Sequence, residues 1–121
     1  MDELKLSEGE YRLMDVIWER EPIPAARLAE ICLDKYGWKR PTVYTMLKRM
    51  GKKGYLLFED KMVTSLIGKE QVNRAEGDTL LRKGYGDSLP DFIAAFLKER
   101  TLSKDDAKRI QKMIKDAMKE D

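Results

Sequence analysis

The sequence predicts a mainly α-helical protein that contains one small β-hairpin. Apolar residues recur at helical spacing along most of the 121-residue chain, and three Ser-x-x-acid sequences, typical of helix starts, divide it into segments. Between the helical patterns, two short runs rich in β-forming residues flank a charged turn. The composition, 42% hydrophobic and 38% charged, is typical of a folded, soluble protein.

The first helix is predicted from the signals at its two ends. Ser7 and Glu10 have the spacing of a capping box, which marks a helix start. Pro22 indicates an end near Arg20, because proline lacks the N–H and the space that a helix interior requires. The inward face is predicted to consist of Tyr11, Met14, Ile17 and Trp18.

A second, short helix is predicted between Pro24 and the stop at Tyr36 and Gly37. Its apolar positions are Leu28, Ile31 and Cys32. The single cysteine of the chain cannot form an internal disulfide, which fits a reducing compartment. A small buried hydrophobic residue is the favoured interpretation of Cys32, and a reactive thiol is the alternative.

The third helix, predicted over Arg40–Lys53, has the most unusual charge pattern in the chain. The segment Lys39–Lys53 contains six basic residues, whereas all 22 acidic residues lie outside it. At about 100° per residue, one face is apolar and the opposite face is basic and hydroxylic. The apolar face consists of Val43, Met46, Leu47 and Met50; the opposite face has Pro41, Thr45, Lys48 and Lys52, flanked by Tyr44 and Arg49. The second face suits a DNA major groove, and a merely solvated helix surface is the alternative.

A β-hairpin is predicted after Gly54, with strands within Tyr55–Phe58 and Met62–Ile67. Two strands alone are marginally stable in water, so this hairpin must pack on the preceding helices. Three helices, the third basic, followed by such a hairpin predict a winged helix-turn-helix lobe. The turn Glu59–Lys61 carries two carboxylates and is expected to contribute less to DNA binding than the third helix.

The second half of the chain is predicted to be wholly helical. Gly68 is the predicted boundary between a winged-helix DNA-binding domain, residues 1–68, and a helical dimerisation domain, residues 69–121. One helix is expected over Lys69–Lys83, before a turn at Gly84–Gly86.

Two further helices are expected to begin at Ser88 and Ser103, each of which is followed by an acidic residue at the third position. Both helices have broad apolar faces, but so short a segment has too little mass to cover them. The missing burial is predicted to come from a second copy of the chain. The predicted dimerisation residues are Leu89, Phe92, Ile93, Phe96, Ile110, Met113, Ile114 and Ala117.

The composition argues against several classes of protein. The chain has no histidine, so it lacks the commonest general base and the commonest transition-metal ligand. No Gly-rich phosphate loop, nucleophile–base pair or metal-ligand spacing occurs, and we expect no enzymatic activity, metal or cofactor. The start MDELKLSEGE is too polar for a signal peptide, and no apolar run approaches the ~20 residues of a membrane span. A cytoplasmic protein is therefore expected.

Three segments, in this order along the chain, match the pattern of a known family. They are LSEGEYRLMDVIWE (Leu6–Glu19), WKRPTVYTMLKRMGKKGYL (Trp38–Leu56) and YGDSLPDFIAAFLKERTLSKDDAKRIQKMI (Tyr85–Ile114). They resemble the first helix, the recognition helix and the dimerisation segment of the penicillinase-repressor and methicillin-resistance-regulator family. The resemblance implies a homodimeric winged-helix repressor that binds a pseudo-palindromic operator and blocks transcription by occlusion.

The resemblance also implies groove or phosphate contacts from Thr42, Thr45 and Arg49. Together with the outward face of the third helix, this defines a predicted DNA-binding set. The set is Arg40, Pro41, Thr42, Tyr44, Thr45, Lys48, Arg49, Lys52 and Lys53.

The chain departs from the family pattern at Pro41 and Tyr44, where the family often has cations. An altered operator sequence is therefore expected. Tyr44 either reaches a thymine methyl or a phosphate, or its ring lies over the helix against Lys48.

Release by a regulatory protease is a further implication of the resemblance, with a cleaved bond between Ala95 and Phe96. Burial of Phe96 in a dimer core would explain the same residue without any protease. The paired C-terminal cysteines of the family's copper-sensing branch do not occur here.

Two other functions fit the composition: a winged-helix module that binds an acidic protein partner, and a non-specific nucleoid DNA-binding protein.

Overall fold

The computed structural model describes residues 4–119. The elements are α1 (Glu8–Arg20), β1 (Ile23–Pro24), α2 (Ala25–Tyr36), α3 (Arg40–Lys52), β2 (Leu56–Glu59), β3 (Met62–Ser65), α4 (Lys69–Tyr85), α5 (Leu89–Leu97) and α6 (Lys104–Met118). The described chain divides into two compact units that meet within α4, between Thr79 and Leu80. The predicted fold class, mainly α with a small β element and a winged-helix first part, is confirmed.

Local signals set the ends of the first three helices as predicted. The Ser7 hydroxyl accepts from the Glu10 backbone N–H, and the Glu10 carboxylate accepts from the Ser7 N–H, which completes the capping box. Gly37 follows α2 with a φ of 73°, and Gly54 follows α3 with a φ of 82°. Such left-handed backbone favours glycine, which has no Cβ to clash with the preceding turn.

The sheet has one strand more than the sequence predicts. Its three antiparallel strands are in the order β1-β3-β2, and Val63 of β3 is opposite Phe58 of β2 and Ile23 of β1. The predicted hairpin is confirmed, but β1 was not predicted. A two-residue strand has no alternation to detect, and Pro22 and Pro24 on either side of Ile23 indicate only a break in the helix.

The core of the first unit is built from one face of each helix and one face of the sheet. Its fully buried large side chains are Leu13, Met14, Ile17, Leu28, Cys32, Val43, Leu47, Met50, Leu56, Val63 and Val72. The predicted inward face of α1 is corrected, because Leu13 and Val16 are buried whereas Tyr11 and Trp18 are only half-buried. The two aromatic side chains lie at the rim because their polar groups need partners.

Those partners tie the start of α4 to the first unit. The Trp18 indole N–H donates to the Ile67 carbonyl over 2.8 Å, and the Tyr11 hydroxyl donates to the Asn73 side-chain oxygen over 2.6 Å. Val72 is completely buried. The first compact unit therefore includes the first turns of α4, while the domain boundary at Gly68 stays a prediction.

The second unit consists of the end of α4 with α5 and α6. Ser88 and Ser103 cap α5 and α6 by accepting from the N–H of Asp91 and Asp106 respectively, as predicted. α4 continues to Tyr85 instead of ending near Lys83. Its turn lies at the next two residues, 86 and 87, which have φ values of 56° and 65°.

Candidate nucleic-acid interface

The helix α3 has one face in the core and one face exposed, as its periodicity predicts. Val43, Met46, Leu47 and Met50 are all buried. The exposed residues of the predicted DNA-binding set are Arg40, Pro41, Thr42, Thr45, Lys48, Arg49, Lys52 and Lys53. No acidic residue lies in the first turn of α3. Apart from the half-buried Tyr44, the predicted residues are therefore exposed along α3, where they carry hydroxyl groups and positive charge.

The N-terminal turn of α3 is formed without a side-chain cap. Lys39 occupies the N-cap position and makes no side-chain hydrogen bond there. Arg40 and Pro41 are the first two residues of the helix, and proline suits this position because its fixed φ is already helical. Uncapped N–H groups make the start of a helix positive, which favours an approaching phosphate.

Tyr44 connects the start of α3 to the hairpin. Its ring packs edge-on against Phe58 of β2, with 6.0 Å between ring centroids. The Arg40 guanidinium lies 5.2 Å from the centre of the Tyr44 ring and donates to its hydroxyl over 3.2 Å. The predicted alternative of a ring against Lys48 is therefore replaced by contacts with Arg40 and Phe58. Tyr44 therefore orients the Arg40 cation, at a position where the family pattern itself often has a cation.

Glu10 is the one buried charged residue of the described chain, and it lies against the C-terminal end of α3. Its side chain is 5% exposed and its carboxylate is 3.1 Å from the Lys53 ammonium and 3.9 Å from Nε of Arg49. Burial alone would raise its pKa, but the hydrogen bond from the Ser7 N–H and the interaction with Lys53 outweigh it, so the pKa of Glu10 is lowered. The sequence predicts Glu10 only as a helix cap.

The hairpin turn is tight and carries mixed charge. Asp60 and Lys61 have φ values of 53° and 67°, as the two central residues of a two-residue hairpin loop require. The Lys61 carbonyl accepts the N–H of Ala25 at the start of α2 over 2.9 Å, which fixes the base of the turn. Glu59 and Asp60 are exposed beside Lys61.

Cys32 is not a reactive site. Its side chain is completely buried in α2, and burial raises the pKa of the thiol to about 11. The thiolate is the reactive form of cysteine, so a thiol with this pKa is inert near neutral pH. The interpretation of Cys32 as a small buried hydrophobic residue is supported.

The predicted dimerisation residues form exposed apolar faces in the single chain. α5 and α6 contain no buried residue, and Phe92 is half-buried between the rings of Tyr85 and Phe96. Leu89, Met113 and Ile114 are each more than half exposed. Ala95 and Phe96, the predicted cleavage position, lie near the C-terminal end of α5, where the Arg100 guanidinium is 5.7 Å from the Phe96 ring.

Two properties of the described residues bear on other functions. Between residues 4 and 119, no group of three or more carboxylates and thiols is placed to hold a metal ion. Within the same range, no helix combines the length and the hydropathy that crossing a bilayer requires.

The fold, the basic helix and the hairpin define a winged-helix protein, and comparison with known sequences defines its family. The chain belongs to the penicillinase repressor family, whose sequence model matches residues 6–116. This is a family of transcriptional regulators, and the resemblance found in the sequence is confirmed.

Several curated proteins are similar to this chain over most of their length. "Methicillin resistance regulatory protein MecI" of Staphylococcus aureus (strain N315) is 20% identical over 114 residues, covering 91% of this chain and 93% of the relative. "Penicillinase repressor" of Bacillus licheniformis is 22% identical over 116 residues, covering 93% and 91%. An uncharacterized 16.5 kDa protein of Latilactobacillus sakei is 21% identical over 114 residues, covering 91% and 78%.

Proposed function

We propose that the protein is a cytoplasmic, homodimeric transcriptional repressor that places α3 in the major groove of a pseudo-palindromic operator. The observation that carries this proposal is the division of α3 into a buried apolar face and an exposed face without any carboxylate. The family and the names of the relatives support repression as the outcome. The mechanism is occlusion, since a bound dimer covers DNA that transcription would use.

The residues of α3 divide by position into two roles. Base contacts come from the N-terminal half, where the Thr42 and Thr45 hydroxyls are exposed and Tyr44 orients Arg40. The guanidinium of Arg40 is the group best suited to a guanine edge. Lys48, Arg49 and Lys52 lie further along the helix and contact phosphates, which positions the protein without reading sequence.

Dimerisation is proposed through the exposed apolar faces of α5 and α6. Two copies of the basic helix would then read two half-sites about one helical turn or more apart. Release by proteolysis is also proposed, between Ala95 and Phe96. Such a cut would separate α6 from the DNA-binding part, so the predicted dimerisation residues on α6 would no longer be joined to it.

The salt dependence of DNA binding tests the proposal. With three phosphate contacts per protomer, about six in the dimer, the slope of log K against log salt should be about −5. Fluorescence anisotropy of a labelled operator, selected from a random duplex pool, measures this slope. A slope near zero would contradict DNA binding. Equal affinity for operator and random duplex, instead of a preference of at least ~10³, would indicate a non-specific nucleoid protein.

A pair of alanine substitutions tests the two roles within α3. Thr45→Ala is expected to lower the preference for the operator over random duplex by about tenfold, because a base contact is lost. Lys52→Ala is expected to weaken both complexes by the same factor, because phosphates are present in every sequence. Anisotropy titrations with both duplexes measure the two ratios. Equal changes in preference for the two variants would argue against this division of α3.

A further inference from the structure

A buried carboxylate lies behind the basic helix and holds two of its cations. Glu10, on α1, is 4% exposed. Lys53 donates to its Oε2 over 3.1 Å, and Nε of Arg49 is 3.9 Å from the same oxygen. The other carboxylate oxygen, Oε1, accepts the N–H of Ser7 over 2.9 Å. Both oxygens of Glu10 are therefore occupied within the protein.

Lys53 differs in this respect from the other lysines of α3. All three lysines are exposed, but neither Lys48 nor Lys52 takes part in an ion pair within the described residues. Lys53 is the C-cap of α3, and its ammonium is also 5.7 Å from the centre of the Tyr55 ring. A lysine that leaves Glu10 for a DNA phosphate would strand a buried negative charge, which is strongly unfavourable.

We propose that Glu10 is a positioning residue of the DNA-binding surface, which withdraws Lys53 from phosphate contact and holds the Nε edge of Arg49. This inference rests on the proposed function, because it assigns which cations of the Lys39–Lys53 segment face DNA. It removes Lys53 from the predicted DNA-binding set. The consequence is a lower sequence-independent attraction, so that base contacts decide more of the total affinity.

The variant Glu10→Gln isolates the charge of this residue. Glutamine also completes a capping box, because its side-chain oxygen can accept the Ser7 N–H, so the start of α1 is retained. The neutral amide no longer holds Lys53. The matched control is Glu8→Gln, which removes the same charge from the same first turn, where Glu8 is exposed and pairs with Arg12 on its own helix.

Salt titrations with a random-sequence duplex distinguish the two lysines. In the dimer, Lys52→Ala should change the slope of log K against log salt from about −5 to about −3, at about 0.9 per lost contact. Lys53→Ala should leave the slope unchanged. Glu10→Gln should steepen it to about −7, because one lysine per protomer is released to phosphate, and adding Lys53→Ala to Glu10→Gln should restore about −5. The preference of Glu10→Gln for the operator should fall, whereas that of Glu8→Gln should not.

Two results would overturn the inference while the proposed function stands: a slope loss in Lys53→Ala equal to that in Lys52→Ala, or identical behaviour of Glu10→Gln and Glu8→Gln. A wild-type slope near zero would instead remove the proposed function and this inference with it.

A thermal double-mutant cycle tests the ion pair without DNA. Lys53→Ala should lower Tm by about 5 °C in the wild type, and should have little effect in the Glu10→Gln background. Equal Tm losses in both backgrounds would show that the two side chains do not interact, and would also overturn the inference.

Discussion

The two units of this chain use their apolar residues in opposite ways. In the described chain, every buried apolar residue lies between Leu6 and Val72, and these residues form one core. α5 and α6 have complete apolar stripes, yet none of their residues is buried, and exposure reaches 76% at Met118. The first unit is thus complete within one chain. The second leaves the apolar side chains of α5 and α6 exposed in the single chain.

The difference shows that an amphipathic pattern states how much surface must be covered, but does not state which molecule covers it. In α3 the stripe of Val43, Met46, Leu47 and Met50 is covered by the same chain. In α6 the equivalent stripe is left exposed. Large exposed apolar patches on soluble proteins mark sites of association, so a second copy is the occupant proposed for α5 and α6.

The largest expected effect comes from a charge placed in the second stripe. Ile114→Asp should weaken the dimer by at least ~100-fold, because burial of an unpaired carboxylate at the interface costs on the order of 3 kcal/mol. Tight operator binding should be lost at the same time, since a monomer reads one half-site. Light scattering after size exclusion measures the mass of the species.

Lys108→Asp is the matched control, because this residue lies outside the apolar stripe of α6, about 120° around the helix from Ile114. It should remain a dimer. If Ile114→Asp is also a dimer, the interface lies elsewhere, and the exposed apolar face of α6 is not the surface that joins two copies.

A cavity created in the core of the first unit should destabilise each chain independently of any partner. Leu13→Ala is expected to lower the free energy of unfolding by about 2–5 kcal/mol, because Leu13 is completely buried in the core. Ile110→Ala, on α6, should instead have an effect that grows with protein concentration, since its burial depends on the partner. Denaturant unfolding at two protein concentrations measures both. A concentration-independent loss for Ile110→Ala would contradict burial between copies.

Lowering the pH should destabilise the first unit through protonation of Glu10. The pKa of this carboxyl is lowered from its ordinary value of 4.5. Its contribution to stability is therefore fully present above pH 4.5 and is lost as the pH falls through the lower folded-state pKa. The charged groups that face Glu10 are Lys53 and Arg49.

Thermal unfolding between pH 6 and pH 2.5 should accordingly show a steeper loss of Tm in the wild type than in Glu10→Gln. Glu8→Gln serves as the control and should follow the wild type. Parallel curves for the wild type and Glu10→Gln would show that the buried carboxylate does not stabilise the first unit.

The smallest effect is expected at Gly51, which lies within α3. A Cβ at this position would be 3.8 Å from Leu56 Cδ1, an ordinary contact distance. Gly51→Ala should therefore stabilise the first unit, by up to ~1 kcal/mol, because alanine favours the helix. Chemical denaturation measures the change. A loss of stability would reveal packing at the α3–β2 junction that is tighter than this distance indicates.

The features that could be predicted from the sequence are those that depend on residues close together along the chain. Ser7 and Glu10 predict the start of α1, Ser88 and Ser103 predict those of α5 and α6, and Gly37 predicts the end of α2. The inward face of α3 was likewise predicted residue by residue. The face of α1 was predicted only in part, because aromatic residues were assigned to the core where Leu13 and Val16 are buried.

The polar and basic surface of α3 could be identified without the structure, because it depends on the helical period and on the absence of carboxylates from Lys39–Lys53. Tertiary structure alone decided what those side chains contact within the protein. Lys53 meets Glu10 across 43 positions, and Tyr44 meets Phe58 on the hairpin. Such pairings depend on how the helices and strands pack, whereas caps and periodicity depend on backbone geometry within one or two turns.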